Sequence, residues 1–379
     1  MVDRGTTILG VPHFETGTVA RVLPSRGGIQ RLVVDIGGAE RRAAAYPSLV
    51  GPLAPGDRVV VNTTALDLAL GTGGEDFVLW PVGRSSAGTM SGGHVMKLRY
   101  TPIQTDVLVA EAPESRHHAA LEEATSLEGM PVVACGLHSQ VAAAAAVAKA
   151  RDPAVRVAYV MTDGGALPLA MSNLVADLTE RGLLDATLTC GHAFGGKLEC
   201  VNVFSALLAA RWVARCDLAI VSIGPGVVGT GTPLGHTGMD QGQSLAAAGA
   251  LGGAPVAALR ISFADPRPRH RVVSHHSVAA LRFGTLFRCT VAVPALEPER
   301  ARLVAERLER SGITARHDVE VADAGDTMGA LEAQGLAPTT MGRKPSEDPE
   351  IFLAAGAAAA VGLSLRPPRD HTRTGQEDV

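Results

Sequence analysis

The 379-residue chain is 46% hydrophobic, 19% charged and 3% aromatic, with a formal net charge of −4. That composition fits a globular protein long enough for two cores, and it offers neither the basic field nor the stacking platforms of a nucleic-acid binder, so no nucleic acid is expected. Five cysteines without C-x-x-C spacing, an opening Met1–Gly10 without a basic and then apolar pattern, and a longest apolar run, Phe352–Leu365, too short for a bilayer together predict a soluble, cytoplasmic protein with no membrane partner.

From Thr18 onward, short β-type runs recur at even spacing: Thr18–Leu23, Gln30–Ile36, Arg41–Tyr46, Arg58–Asn62 and Asp76–Trp80. Gly27-Gly28, Gly37-Gly38, Pro55-Gly56-Asp57 and Gly71-Thr72-Gly73-Gly74 punctuate them. Five strands of that length predict a small all-β barrel-like domain over residues 1–84, of which an oligonucleotide-binding barrel is one instance. Without a basic, aromatic face, the barrel is expected to serve structure or association, which would make the chain a homo-oligomer. Residues 85–94 have the Gly/Ser composition of a linker or an ordered crossing loop.

Residues 95–365 are expected to form the larger, α/β domain, and residues 366–379 a mobile tail. A strand pair, Val95–Tyr100 and Asp106–Glu111, leads to a helix near His117–Leu127. Buried strands then alternate with helices. The strands are Val132–Gly136, Val155–Met161, Ala186–Cys190, Leu218–Ile223, Val256–Ile261 and Thr290–Val293. The helices are near Gln140–Arg151, Leu169–Arg181, Lys197–Arg215, Gln241–Leu251, His276–Phe283, Pro298–Ser311 and Ile351–Val361. This alternation predicts a mostly parallel sheet covered by helices. Gly182 and Gly312 stand where left-handed caps would end two of those helices.

Ligands of such sheets bind beyond the carboxyl ends of strands. Five polar loops fall there: Gly136–Gln140, Thr162–Pro168, Gly191–Gly196, the glycine-rich Ser222–Gly238, and Ser262–Arg271 continuing to His276. The glycine loop can turn backbone N–H groups toward an anion. Gly224, Gly226, Gly229, Thr230 and Gly231 are its candidate contacts. Gly224-Pro225-Gly226-Val227-Val228-Gly229 matches the dinucleotide fingerprint in form, but the glycines and Pro233 that follow keep the chain irregular where a helix should start. No Walker lysine motif is present. Asp163, before Gly164-Gly165, and His192, in a loop ending at Gly195-Gly196, are the candidate acid–base pair. Ser139 and Asp163 also fit helix N-caps. Arg269 and His270 offer counter-charge, and His138, Ser139, Gly164, Gly165, Gly195, His236, Asp265 and His276 complete the candidate binding set. No close histidine spacing indicates a metal, so none is expected, and Cys190 reads as a buried strand-end thiol rather than a nucleophile.

The motifs Met96-Lys97-Leu98-Arg99-Tyr100-Thr101-Pro102, Gly136-Leu137-His138-Ser139, Thr162–Pro168, Gly191–Gly196 and Ser274-His275-His276 together resemble the bacterial family known as domain of unknown function 3866, from about Gly17 to Val361. The resemblance implies a shared architecture and transfers no activity. From the residues, the expectation is a hydrolase or group transferase acting on a small anionic molecule, its cofactor unknown. The alternatives are a non-catalytic ligand sensor or assembly protein, and a nicotinamide-dependent enzyme.

Overall fold

Short strands, some with alternating and some with consecutive buried residues, open the chain, and five of them close on themselves. The computed structural model describes residues 10–70, 73–85 and 90–368. The expected mobile tail beyond residue 368, the center of the linker at residues 86–89, the turn residues 71–72 and the first nine residues lie outside that description. The described residues divide into two units, those up to residue 90 together with 100–105, and residues 91–99 together with those from 106 onward.

In the first unit, β1 (Phe14–Val22), β2 (Gln30–Ile36), β3 (Ala39–Ala45), β4 (Arg58–Asn62) and β5 (Asp76–Pro81) form a closed barrel in the order β1-β2-β3-β5-β4. β1 and β4 pair antiparallel to close it, while β3 and β5 run parallel. Val19, Leu32, Val34, Ala43, Ala45, Val59, Val61 and Val78 fill the interior. Gly37, Gly38 and Gly56 take positive φ at the turns, as their positions require. Two single helical turns, α1 (Pro47–Val50) and α2 (Thr64–Asp67), join the strands.

The second unit begins with β6 (Val95–Lys97), β7 (Thr105–Val107) and α3 (His118–Glu122). Then come β8 (Pro131–Cys135), α4 (Gln140–Arg151), β9 (Val157–Thr162), α5 (Asn173–Glu180), β10 (Ala186–Thr189), β11 (Leu198–Glu199), α6 (Val203–Trp212), β12 (Leu218–Ile223), α7 (Asp240–Ala250) and β13 (Ala254–Ala258). After these the chain forms β14 (Ile261–Ser262), β15 (Val272–Val273), α8 (His275–Ala279), β16 (Thr290–Pro294), α9 (Pro298–Arg310), β17 (Asp318–Ala322), α10 (Thr327–Ala333) and α11 (Pro349–Ser364).

Eight strands form one all-parallel sheet, ordered β11-β10-β9-β12-β8-β13-β16-β17. Its central strands are buried on both faces, which is why they read as continuous apolar runs. Val133, Tyr159, Met161, Ile220 and Ala258 point into a layer made by α4, α5, α10 and α11. Their alternating neighbors Val132, Ala158, Val160, Ala219 and Val221 face α6 and α7, and Ala134, Ala257 and Val291 face α7 and α9. The chain leaves β8 and β9 through helices on one face and leaves β12 through α7 on the other. The crevice between β9 and β12 is therefore a switch point of the sheet.

Several elements differ from expectation. The helix expected over Lys197–Arg215 is split, because Leu198–Glu199 pairs with β10 and Asn202 starts α6 with a capping box, accepting from the Phe204 and Ser205 amides. Ser172 breaks the helix expected from Leu169 in the same manner, its hydroxyl accepting from Val175 N. The expected helix at His117–Leu127 shrinks to one turn. β17 and α10 have no expected counterpart: β17 is a largely exposed edge strand, whose side chains carry little burial pattern. Gly182 and Gly312 take positive φ directly after α5 and α9, ending both as expected.

Candidate functional site

The loops that follow β8, β9, β12 and β13 meet at one rim, and buried glutamines hold it in place. Gln241, on α7, donates to carbonyls near the ends of β8 and β13, Ala134 O at 2.8 Å and Ala258 O at 2.7 Å. Gln140, at the start of α4, accepts from Leu137 N and donates to Leu259 O. The loops after β8 and β13 thus leave their strands from fixed points.

In the crevice, the loop after β9 lies directly on the loop after β12. A side chain at Gly165 would run into the Gly224 carbonyl, and one at Gly224 into that of Ala166, while Ala166 N donates to Pro225 O at 2.8 Å. The glycines are needed because two backbones touch. Gly164 leaves room for Asp240, whose carboxylate would sit 2.5 Å from an added Cβ. Thr162 Oγ1 donates to Asp240 Oδ2 at 3.0 Å. Burial pushes the Asp240 carboxyl above its ordinary value, the Thr162 hydrogen bond pulls it partly back, and the charge of nearby Asp163 pushes it further up. Asp163 itself is exposed and accepts the His192 backbone N–H at 2.8 Å.

Asp163 and His192 therefore meet, but through the main chain rather than through the imidazole. His192 Nδ1 accepts from Leu98 N at 3.1 Å, and the Arg99 guanidinium stands 3.1 Å from Nε2. A neutral imidazole accepts at one nitrogen only, so the two contacts exclude one another. Asp163 is no helix cap either: α5 begins at Asn173, and Ser172 caps it. Ser139 occupies the N-cap position of α4 without capping it, since its backbone is already helical and Gln140 N and Val141 N find the Leu137 and His138 carbonyls.

Other expected contacts are committed elsewhere. His138 Nε2 lies 2.6 Å from Ser172 Oγ, and its Nδ1 faces Tyr159 Oη at 3.0 Å and the Ile223 carbonyl at 3.3 Å. Burial pushes this imidazole down to about 4, with the Ile223 carbonyl opposing. Gly195 N is held by Glu199 Oε1 at 2.6 Å, beside fully buried Lys97. Cys190 is buried, and burial pushes its thiol up to about 12, as a structural cysteine requires.

The glycine loop folds on itself before reaching α7. Gly229 bridges His236, Thr230 N donates to Gly235 O, Thr230 Oγ1 meets Thr232 Oγ1 at 2.9 Å, and Val228 N donates to Thr237 Oγ1. Some of the amides expected to cradle an anion thus serve the loop. Gly226 and Gly231 take positive φ with open space beside them.

Asp265, a candidate ligand contact by sequence, is already engaged by arginines. Its buried carboxylate takes Arg267 Nη2 at 2.8 Å, Arg260 Nη2 at 3.2 Å and Arg343 Nη2 at 3.3 Å. Arg343 continues to buried Asp348 at 2.8 Å. Burial raises the Asp265 carboxyl, but hydrogen bonds and charge from Arg267, with the charge of Arg260, hold it well below the usual carboxylate range. Three guanidiniums and two carboxylates make this a structural network. Arg269 is exposed in the turn beside it.

Next to the network, the end of the glycine loop and the start of α8 bring four imidazoles together. His236 stacks on His276 with centroids 3.8 Å apart, His275 lies 4.4 Å from His276, and His270 lies 4.8 Å from His276 and 5.0 Å from His275. His236, His275 and His276 each offer one ring nitrogen, all within 4.8 Å of one another, in an arrangement that could hold a metal ion. Burial first, then the positive charges around them, pushes His275 down to about 4, His276 to about 2 and His270 to about 3; burial also lowers His236. The sequence offered His236, His270 and His276 as binding candidates and His275 only within the Ser274-His275-His276 motif; Asp240, which carries no motif, was missed.

Among the described residues, no helix is long and apolar enough to cross a membrane. No curated protein and no solved structure matches the chain. A match to the family described as "Protein of unknown function (DUF3866)" covers residues 42–359, taking in every loop of this rim, and the chain belongs to that family.

Proposed function

We propose that the chain is a hydrolase or group transferase acting on a small anionic metabolite by acid–base chemistry in the crevice between β9 and β12. The observation that carries this reading is a pair of neighboring carboxyls in unlike surroundings, Asp240 half-buried and raised, Asp163 exposed and accepting an amide. A raised carboxyl suits a proton donor, and an exposed carboxylate beside it a proton acceptor. Asp240 is the acid and Asp163 the base. His192 orients Asp163 through its amide, and Arg99, at the same edge, draws in the anionic end of the substrate. Gly226 and Gly231 leave space at the mouth.

The test is metabolite consumption. Wild-type protein, Asp163→Asn and Asp240→Asn are incubated with a fractionated extract of phosphorylated and carboxylated metabolites, followed by mass spectrometry. Wild type is expected to convert one compound that both variants leave intact. Recovery of a bound compound chemically unchanged from wild type after prolonged incubation would replace the enzyme with a ligand sensor.

A further inference from the structure

We propose that His236, His275 and His276 bind one zinc ion, leaving its fourth position open to water or to an anionic oxygen. The inference stands apart from the acid–base reading, because it rests on a different set of side chains and is tested without a substrate.

Three observations converge on it. First, His236 Nδ1, His275 Nε2 and His276 Nδ1 are buried and have no hydrogen-bond partner. Buried polar atoms are nearly always satisfied, so three orphaned nitrogens in one cluster point to a missing partner. Second, the opposite nitrogen of His236 is already tied: Nε2 lies 3.2 Å from the Pro233 carbonyl, which can only accept. That contact fixes the proton on Nε2 and leaves the Nδ1 lone pair free, the outer-shell arrangement that metal-binding histidines use. Third, the fold keeps the space beside these atoms clear. An added Cβ at Gly238 would sit 3.0 Å from His236 Nδ1 and 3.3 Å from His276 Nδ1.

Three imidazoles with an open position suit zinc, a borderline-soft ion that takes nitrogen ligands in tetrahedral sites. Bonds of about 2.0–2.1 Å draw the nitrogens closer than they now stand, and one ring of the His236–His276 stack must turn to aim its lone pair at a shared ion. Three neutral ligands leave the full double charge on the metal. Beside it lies Arg260, only 2% exposed, with Nε lacking a partner. Such surroundings favor hydroxide or an anion at the fourth position.

The test is zinc titration of the chelator-stripped full chain by calorimetry, with metal content by mass spectrometry after gel filtration. One zinc per chain is expected. His236→Ala, His275→Ala and His276→Ala should each weaken binding by more than the about 10–100-fold that loss of an outer-shell partner costs, and Gly238→Ala should weaken it with every histidine kept. His94→Ala, in an exposed pair with Glu114, serves as the control and should bind like wild type. Thermal melts in chelator establish that each variant is folded; should an alanine variant fail to fold, His→Gln at that position and Gly238→Ala decide. Absence of stoichiometric zinc on wild type, or unchanged affinity in folded variants, overturns the proposal.

Discussion

Replacing Asp265 with Asn should unfold the α/β unit far more readily while leaving the barrel intact. The carboxylate is fully buried and receives three guanidiniums, one of which, Arg260, is itself buried. An amide of the same shape keeps the volume but removes the charge, leaving Arg260 without its counter-ion. Breaking a buried ion pair from one side costs about 3–5 kcal/mol, in contrast to exposed pairs, worth about 1 kcal/mol or less. At about 2–4 °C per kcal/mol for a domain of this size, the melting point should fall by roughly 6–20 °C. The chain has two tryptophans, Trp80 in the barrel and Trp212 on α6. In a Trp80→Phe background, Trp212 fluorescence reports on the α/β unit alone during urea titration. Adding Arg260→Met should recover part of the loss, with a coupling of about 1–3 kcal/mol, since it removes the charge that Asp265→Asn strands. A loss under about 1 kcal/mol, or strictly additive variants, would mean that the network is hydrated and its members independent.

Asp240→Asn should raise thermal stability at neutral pH while removing turnover. A carboxyl raised by burial stabilizes the fold only while protonated, so its contribution is present at acid pH and is lost as pH rises through the folded value; an unchanged melting point would refute the assigned burial cost. Stability should also fall between about pH 6.5 and pH 4, because His138, pushed down to about 4, favors the fold only while neutral. Its shift corresponds to roughly 3 kcal/mol at about 1.4 kcal/mol per unit. Proton NMR titration of its ring checks this, and titration near pH 6.5 would refute it. Gly165→Ala should distort the crevice, since the new methyl meets the Gly224 carbonyl; equal stability and ligand binding in the variant would show that the two loops can part.

The architecture was legible because each level of the sequence agreed with the next. Short alternating strands gave the barrel, and continuous apolar runs between helices gave the parallel sheet. What escaped was local competition. Asn202 and Ser172 divide helices that composition alone would join, and β17 is a short, exposed edge strand whose Asp318-Val319-Glu320-Val321 alternation spans only four residues. At the rim, the contact between Gly165 and Gly224 and the shared place of Asp163 and Asp240 depend on two strands far apart in sequence becoming neighbors. Side-chain commitments were likewise invisible: nothing in the sequence says that His192 meets Asp163 through its amide, or that Asp265 is consumed by arginines.

The strand order has a consequence for synthesis. β8 leaves the ribosome before every other strand of the large sheet, yet its two partners, β12 and β13, come much later, the second ending at Ala258. Until then the nascent chain carries an unpaired apolar segment, Pro131–Cys135, at what will be the middle of the sheet, and such exposed edges invite aggregation. Chaperone dependence should therefore begin when β8 emerges and end only when Ala258 is free of the exit tunnel.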